Sequence, residues 1–224
     1  MIAVFLQARL GSTRLPRKAL LPLGGDTVIG HAMNNLRKIH ADEFWLLTDR
    51  DSYTELQPVA EAHSFECLSG SKNDVLHRFA VAAEKLAPDF IFRATGDNPL
   101  VSAELANLLL EDPRAQESAY SGYRGPPIGV GIELINTHAL LQAHMRAKSY
   151  YDREHVTPYL YNHRDLFEVY LAHAPEPYCL PEARVTLDTV SDYRHLEHIY
   201  AQLSSDEGIS TLQLVDYLRN GPGA

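Results

Sequence analysis

The chain has 224 residues, 45% of them hydrophobic, and carries 20 Lys+Arg against 29 Asp+Glu for a formal net charge of −9 at pH 7. That length supports one large or two small folded units with ample core, and the acidic balance argues against general binding to nucleic acid, which needs a basic face or stripe. Cys67 and Cys179 are the only cysteines and have no zinc spacing, so neither a disulfide framework nor a cysteine metal cluster is expected, and a reducing cytoplasm is the expected compartment.

Ile2 to Leu6 is a short apolar run with no basic region before it, too brief for a signal peptide or membrane span, and it reads as a buried first strand. QARLGSTRLPRK, Gln7 to Lys18, follows it. From Arg9 to Lys18 stand Arg9, Arg14, Arg17 and Lys18 with no acid, where overall composition gives about one cation per ten residues. Such a patch seeks an anion, and a small one in an acidic protein. The loop is not a Walker A loop: Gly11 to Lys18 is one residue too long, Pro16 and Arg17 replace the second glycine, and no Ser or Thr follows the lysine. It offers a Gly11-Ser12 turn at a strand end, where backbone N–H groups and hydroxyls can meet phosphate oxygens while cations neutralise charge. The competing reading is a solvated loop whose cations lie over apolar surface.

A helical pattern runs from Thr27, a second strand spans Glu43 to Asp49, and a helix covers Tyr53 to His63. The third strand is Phe65 to Leu68. The next helix opens with Asn73 or Asp74 as N-cap and keeps Val75, Leu76, Phe79, Ala82, Ala83 and Leu86 on one face. Asp89 to Thr95 is the fourth strand. This alternation predicts an α/β fold with a mainly parallel central sheet, helices on both faces, and a ligand at the carboxyl ends of the strands. Further on come a helix over Ser102 to Leu110, a Gly/Pro loop over Tyr120 to Gly131, a short strand over Ile132 to Ile135 and a helix from about Thr137. Phe167 to Ala172 and Arg184 to Leu187 are strand candidates, and terminal helices start near Ser191 and Ser210, the last stopping at Gly221. No repeat or boundary divides residues 1–224, which are read as one domain; the apolar terminal segments make a homodimer an open expectation.

ARLGSTRLPRKAL resembles the ARxxSxRLPxKxL signature that opens the sugar-activating nucleotidyltransferases, including CMP-ketodeoxyoctonate synthetases and the spore-coat polysaccharide biosynthesis type cytidylyltransferases. SGSKNDVLHR, RATGDNPL, DREHVTPYLY and VTLDTVSDY are similar to the latter family's GSxxDVLxR, RxTGDxPL, EREHVTPYxY and VDTPEDL blocks, in that order. Two positions depart from the pattern. Arg17 stands where the family has glycine, and Gly131 where it commonly has Asp, leaving Glu133 as the only acid of that strand.

The resemblance implies a GT-A-like (Rossmann-like) nucleotidyltransferase fold in which Arg9 and Lys18 grip a triphosphate catalytically, with Gly11, Ser12 and Arg14 beside them. Asp97 and Asp188 would hold Mg²⁺, and Ser71, Asp74 and Arg78 would contact the nucleotide. Backbone groups of Gln7, Ala8 and Arg9 would read the base, favouring CTP over UTP and both over purine triphosphates. Residue chemistry alone leaves other roles open: Asp97 as an Asx turn or N-cap before the Ser102 helix, Asp188 as a cap with Asp192 as a helix-start charge, Asp74 as N-cap with Arg78 as its i+4 partner. Arg153, Glu154 and His155 form a polar cluster suited to an acceptor, with His155 not expected to ligate metal. Tyr120, Tyr123 and Arg124 suit sugar contact by location only. The expected activity is Mg²⁺-dependent transfer of CMP from CTP to a sugar or sugar-phosphate-like acceptor, with pyrophosphate released, in surface polysaccharide synthesis, and with no nucleic-acid or membrane partner. A GT-A-type glycosyltransferase and a non-catalytic nucleotide-binding regulatory module share the architecture. Lys18, read as an exposed loop cation, should matter for nucleotide use far more than for folding.

Overall fold

The computed structural model describes residues 1–203, 205 and 208–221. Strand β1 (Ile2–Gln7) is apolar on both faces and therefore takes the middle of a sheet, with Ala3, Val4, Phe5 and Leu6 fully buried. After it come a short 3-10 turn at Lys18–Leu20, the hairpin β2 (Pro22–Leu23) and β3 (Asp26–Thr27), and helix α1 (Val28–Leu36). The chain then alternates through β4 (Glu43–Asp49), α2 (Tyr53–Ala62), β5 (Glu66–Gly70), α3 (Val75–Leu86), β6 (Phe90–Thr95), α4 (Ala103–Glu111) and α5 (Pro113–Glu117). It continues through β7 (Tyr120–Arg124), β8 (Glu133–Asn136), α6 (Thr137–Arg146), α7 (Tyr150–His155), α8 (Pro158–Asn162), β9 (Val169–His173), α9 (Val190–Leu203) and α10 (Thr211–Asn220).

The main sheet has seven strands in the order β5-β4-β1-β6-β8-β7-β9, parallel throughout except for β8, which runs against both neighbours. Alternation along each strand splits the core. Val4, Leu6, Leu46 and Phe92 pack with Ile29, Met33, Leu56 and Ala106 on one face, while Ala3, Phe5, Trp45 and Ile91 pack with Phe79, Leu76 and Leu140 on the other. A third cluster, with Leu100, Leu105, Leu187, Leu196, Ile199 and Leu214, fastens α9 and α10 against α4. Among the described residues no helix is long and apolar enough to cross a membrane.

Two segments differ from the sequence reading. Tyr120–Arg124 is a strand rather than the start of a loop: it pairs with five residues of β9, and its first three residues are buried. Arg184 to Leu187 is extended but forms no ladder, making only an isolated bridge between Arg184 and Ile128. Its backbone serves loops instead, with Val185 N–H donating to Ile128 C=O at 2.8 Å and Leu187 N–H to Asp97 C=O at 2.9 Å.

Candidate active site

Strands β1 and β6 run parallel in a register that sets Gln7 beside Thr95, so their carboxyl ends deliver Ala8-Arg9 and Gly96-Asp97 together. The approach is tight enough to need a glycine, since a Cβ on Gly96 would meet the Ala8 Cβ at 2.8 Å. Asp97 follows at once. Its Oδ1 accepts from Thr95 Oγ1 at 2.6 Å and its Oδ2 from Lys18 Nζ at 2.7 Å. The cap of α4 is Ser102, whose Oγ accepts the Leu105 N–H at 3.1 Å, so Asp97 is free of that duty.

Asp188 arrives from the far end of the chain. The Leu187 N–H bond to the Asp97 carbonyl fixes it, and Lys18 Nζ closes the group by donating to Asp188 Oδ1 at 3.0 Å and to Leu187 C=O at 2.7 Å. Arg14 and Arg184 also reach the Asp188 carboxylate, at 2.9 and 2.6 Å. Burial alone would raise the Asp188 pKa, but the Lys18 hydrogen bond and charge, with Arg14 and Arg184, hold it below the ordinary carboxylate range. Thr189 and Asp192 cap α9 reciprocally: Asp192 N–H donates to Thr189 Oγ1 at 3.2 Å and Thr189 N–H to Asp192 Oδ2 at 2.8 Å. Asp192 is the helix-start charge, and Asp188 is not the cap. Among the described residues no three His, Cys, Asp or Glu side chains cluster as a self-sufficient metal site.

These groups line a cavity of about 390 Å³ together with Gln7, Ala8, Arg9, Gly11, Ser12, Arg14 and Arg78. In the loop, Ser12 N–H turns back to Leu10 C=O at 2.9 Å, and Arg17 N–H to the same carbonyl at 3.2 Å. Arg17 adopts φ 58°, ψ 26°, the left-handed conformation a glycine would take there, and its guanidinium donates to Glu55 at 2.9 Å. The loop path is therefore kept without the glycine. Arg9 is 39% exposed and pairs with Glu154 at 3.1 Å. Lys18 is only 15% exposed, against the sequence expectation of a solvated cation.

Gln7, Ala8 and Arg9, the residues assigned to base reading, all line the cavity. The Gln7 carbonyl already accepts from Gly96 N–H at 2.9 Å and the Ala8 N–H donates to Leu47 C=O at 3.3 Å. Ser71 and Asp74 lie outside the cavity. Ser71 Oγ accepts the Asp74 N–H at 3.2 Å, and Asp74 caps α3 through the His77 N–H at 2.9 Å. Asp74 pairs with Arg153 at 2.6 Å, not with Arg78. Arg78 instead is buried at 2% exposure and donates from Nη1 to Leu47 C=O at 3.0 Å. Burial pulls its pKa down to about 10, which leaves it charged at neutral pH.

Sequence reasoning did not single out Arg93, Thr95 or Thr157. Arg93 lines the cavity and donates from Nε to Gln7 Oε1 at 3.1 Å, while its Nη1 pairs with Glu133 Oε2. Glu133 Oε1 also accepts from Tyr120 Oη at 2.7 Å and Thr157 Oγ1 at 3.0 Å. Burial, and then the Glu133 charge, push the Tyr120 phenol well above its usual range, so it stays a donor. Tyr120 thus supports the floor rather than meeting a sugar. Tyr123 lines a second hollow of about 310 Å³ that shares Arg93 and Thr95 with the main cavity, and Gly131 lies on its wall. A Cβ at Gly131 would have nothing within 4 Å, so the family's Asp would fit without strain. His155 lines the main cavity with its ring 4.5 Å from that of Tyr151. Because Glu133 holds Arg93 in a half-dry setting, Glu133→Gln should lower stability by about 1 to 3 kcal/mol by leaving that guanidinium uncompensated. Urea unfolding measures it; an unchanged midpoint and slope would show the network to be dispensable.

Comparison with known proteins finds relatives over nearly the whole chain. A family model described as cytidylyltransferase matches residues 3–211. The Bacillus subtilis spore coat polysaccharide biosynthesis protein SpsF is 32% identical over 234 residues, covering 100% of this chain and 96% of its own. The 3-deoxy-manno-octulosonate cytidylyltransferase of Coxiella burnetii is 28% identical over 199 residues, 87% of this chain and 69% of its own. Among solved structures, a cytidylyltransferase from Leptospira borgpetersenii superposes with a TM-score of 0.89 at 26% identity, over 99% of this chain and 94% of its own.

Proposed function

We propose that this chain, which belongs to the cytidylyltransferase family, transfers CMP from CTP to a sugar or sugar-phosphate-like acceptor and releases pyrophosphate. The observation that carries the reading is the Lys18 ammonium held between Asp97 and Asp188 at the end of the central strands. An acceptor oxygen, already anionic in a phosphate or giving up its proton to solvent in a sugar hydroxyl, attacks the α-phosphorus, a new P–O bond forms, and the bond to the bridging oxygen breaks as charge collects on the departing pyrophosphate. Lys18, Arg9 and Arg14 neutralise that charge, each exchanging a carboxylate partner for phosphate oxygens.

The donor set also fits Mg²⁺. Asp97 Oδ2, Asp188 Oδ1 and the Leu187 carbonyl already gather around one cationic group, and all are hard oxygens of the kind that hold Mg²⁺ together with substrate phosphates. Asp97 and Asp188 would hold the ion, which when bound supplies further neutralisation and alignment of the phosphates. The name of the Bacillus relative supports surface polysaccharide synthesis as the setting, and nucleotide substrates suit the cytoplasm.

Incubation of the purified protein with each nucleoside triphosphate, Mg²⁺ and a panel of sugars and sugar phosphates tests the proposal by pyrophosphate and nucleotide-sugar detection. CTP is expected to be used ahead of UTP, and both ahead of GTP and ATP. Consumption of a nucleotide sugar without pyrophosphate would instead reveal a glycosyltransferase, and nucleotide binding without turnover on the whole panel a regulatory module.

A further inference from the structure

When a triphosphate draws Lys18, Arg14 and Arg9 off their carboxylates, the acids left behind fare differently. Asp97 and Asp188, the partners of Lys18 and Arg14, face the position of a divalent cation, and Arg184 stays on Asp188 at 2.6 Å. Glu154 stands apart from them. Its ion-pair partner is Arg9, at 3.1 Å within the cavity that both residues line, and the exposed phenol of Tyr150 adds a hydrogen bond but no charge. Helix α7, which carries Glu154, buries none of its residues, so apolar packing does not position it. Arg153 does: its Nε and Nη2 donate to Asp74 Oδ2 at 3.0 and 2.6 Å, and its Nη1 to His144 C=O at 2.7 Å. The helix then ends in a γ-turn, Thr157 N–H donating to His155 C=O at 2.9 Å around a fully buried Val156 at φ 73°, ψ −60°. That conformation is strained for a β-branched residue and persists only where the surroundings over-determine it, as they do at functional sites. What it fixes is the last turn of α7, and with it Glu154, at the cavity wall.

We infer that Glu154 is a displaceable stand-in for phosphate that promotes release of pyrophosphate: it yields Arg9 to the incoming triphosphate and takes it back as pyrophosphate departs. This rests on the reading of the cavity as a CTP site. A carboxylate matches a phosphate in charge and in the way it meets a guanidinium, so the two compete for Arg9. A site that stabilises charge on a leaving group also tends to retain that group once it has formed. Glu154 opposes the retention. With nucleotide bound, α7 keeps an uncompensated carboxylate within reach of Arg9, and recovery of the ion pair offsets part of the cost of breaking the contacts to pyrophosphate. The same masking lowers the apparent affinity for any phosphate ligand by the fraction of molecules in which Arg9 is taken.

Calorimetric titration of CTP and of pyrophosphate, each with Mg²⁺, on the wild-type chain, Glu154→Gln, Arg9→Met and the double variant tests this without an acceptor. Glu154→Gln should bind both ligands about three- to tenfold more tightly than the wild type, although a charged group is lost from the cavity wall. In the Arg9→Met background the same change should bring no gain. Glu154→Ala serves if melting curves show that the glutamine variant fails to fold. Unchanged or weaker pyrophosphate binding by Glu154→Gln overturns the inference. So does a gain that persists in full beside Arg9→Met, which would mean general repulsion of anions rather than competition for one arginine. A wild-type chain that binds pyrophosphate but not CTP would overturn the CTP reading itself.

Discussion

Asp97→Asn is expected to lower pyrophosphate-releasing turnover by about 1,000-fold or more, because the amide keeps the shape of the carboxylate but removes the charge that would hold a divalent cation against the triphosphate. Folding should change little. Ser102 and not Asp97 caps α4, and the amide oxygen of the substituted side chain can still accept from Thr95 Oγ1 or Lys18 Nζ in place of the carboxylate. Asp188→Asn should behave alike, since Thr189 and Asp192 cap α9 without it. Initial rates over a Mg²⁺ titration, with melting curves of the same samples, separate the two effects. An Asp97→Asn enzyme with wild-type turnover would remove the metal-binding assignment.

Lys18→Met should cost about 100- to 1,000-fold in turnover, as expected for loss of a preorganised cation at developing charge. Here the structure revises the expectation drawn from sequence. Lys18 is 15% exposed and holds two carboxylates and a backbone carbonyl, so its loss leaves Asp97 and Asp188 facing each other without the cation between them. The variant should lose about 1 to 3 kcal/mol of stability in the absence of metal. Added Mg²⁺ should restore part of that by occupying the vacated oxygens, so its melting temperature should rise with Mg²⁺ more steeply than that of the wild type. A variant as stable as the wild type in chelator would show that the lysine plays no part in holding the two acids together.

Much of the fold was legible in the sequence. Strict alternation of apolar runs and helical periods through residue 95 specifies the parallel half of the sheet, because each strand there is followed by its own crossover helix. Beyond that point the signal fails for a physical reason. Strand β7 contains Gly122 and precedes Gly125-Pro126-Pro127, so it reads locally as loop, and it is made a strand by its pairings with β8 and with β9, the latter about 50 residues later. Arg184 to Leu187 shows the reverse error: its apolar, β-branched residues suit a strand, but they are buried against α9 and α4 and the backbone bonds to loops. In the site, charge-bearing residues of short motifs were recoverable, and Lys18, Asp97 and Asp188 do converge. Arg93 was overlooked although it carried a signal, a guanidinium inside the apolar run FIFRAT, which can be tolerated in a central strand only with a buried partner such as Glu133. The pairings of Arg9 with Glu154 and Asp74 with Arg153 are set by the docking of α7 and have no local signature.

The bond from Leu187 N–H to the Asp97 carbonyl has a bearing on how the protein is made. All seven strands of the main sheet precede residue 174, so during synthesis the sheet is complete in sequence before Asp188 leaves the ribosome. A nascent chain at that stage owns the cationic loop and the first acid but lacks the second, and its Lys18 has one carboxylate to hold rather than two. On the proposed assignment of Asp188, turnover would wait until the segment that carries it has folded back onto the turn after β6.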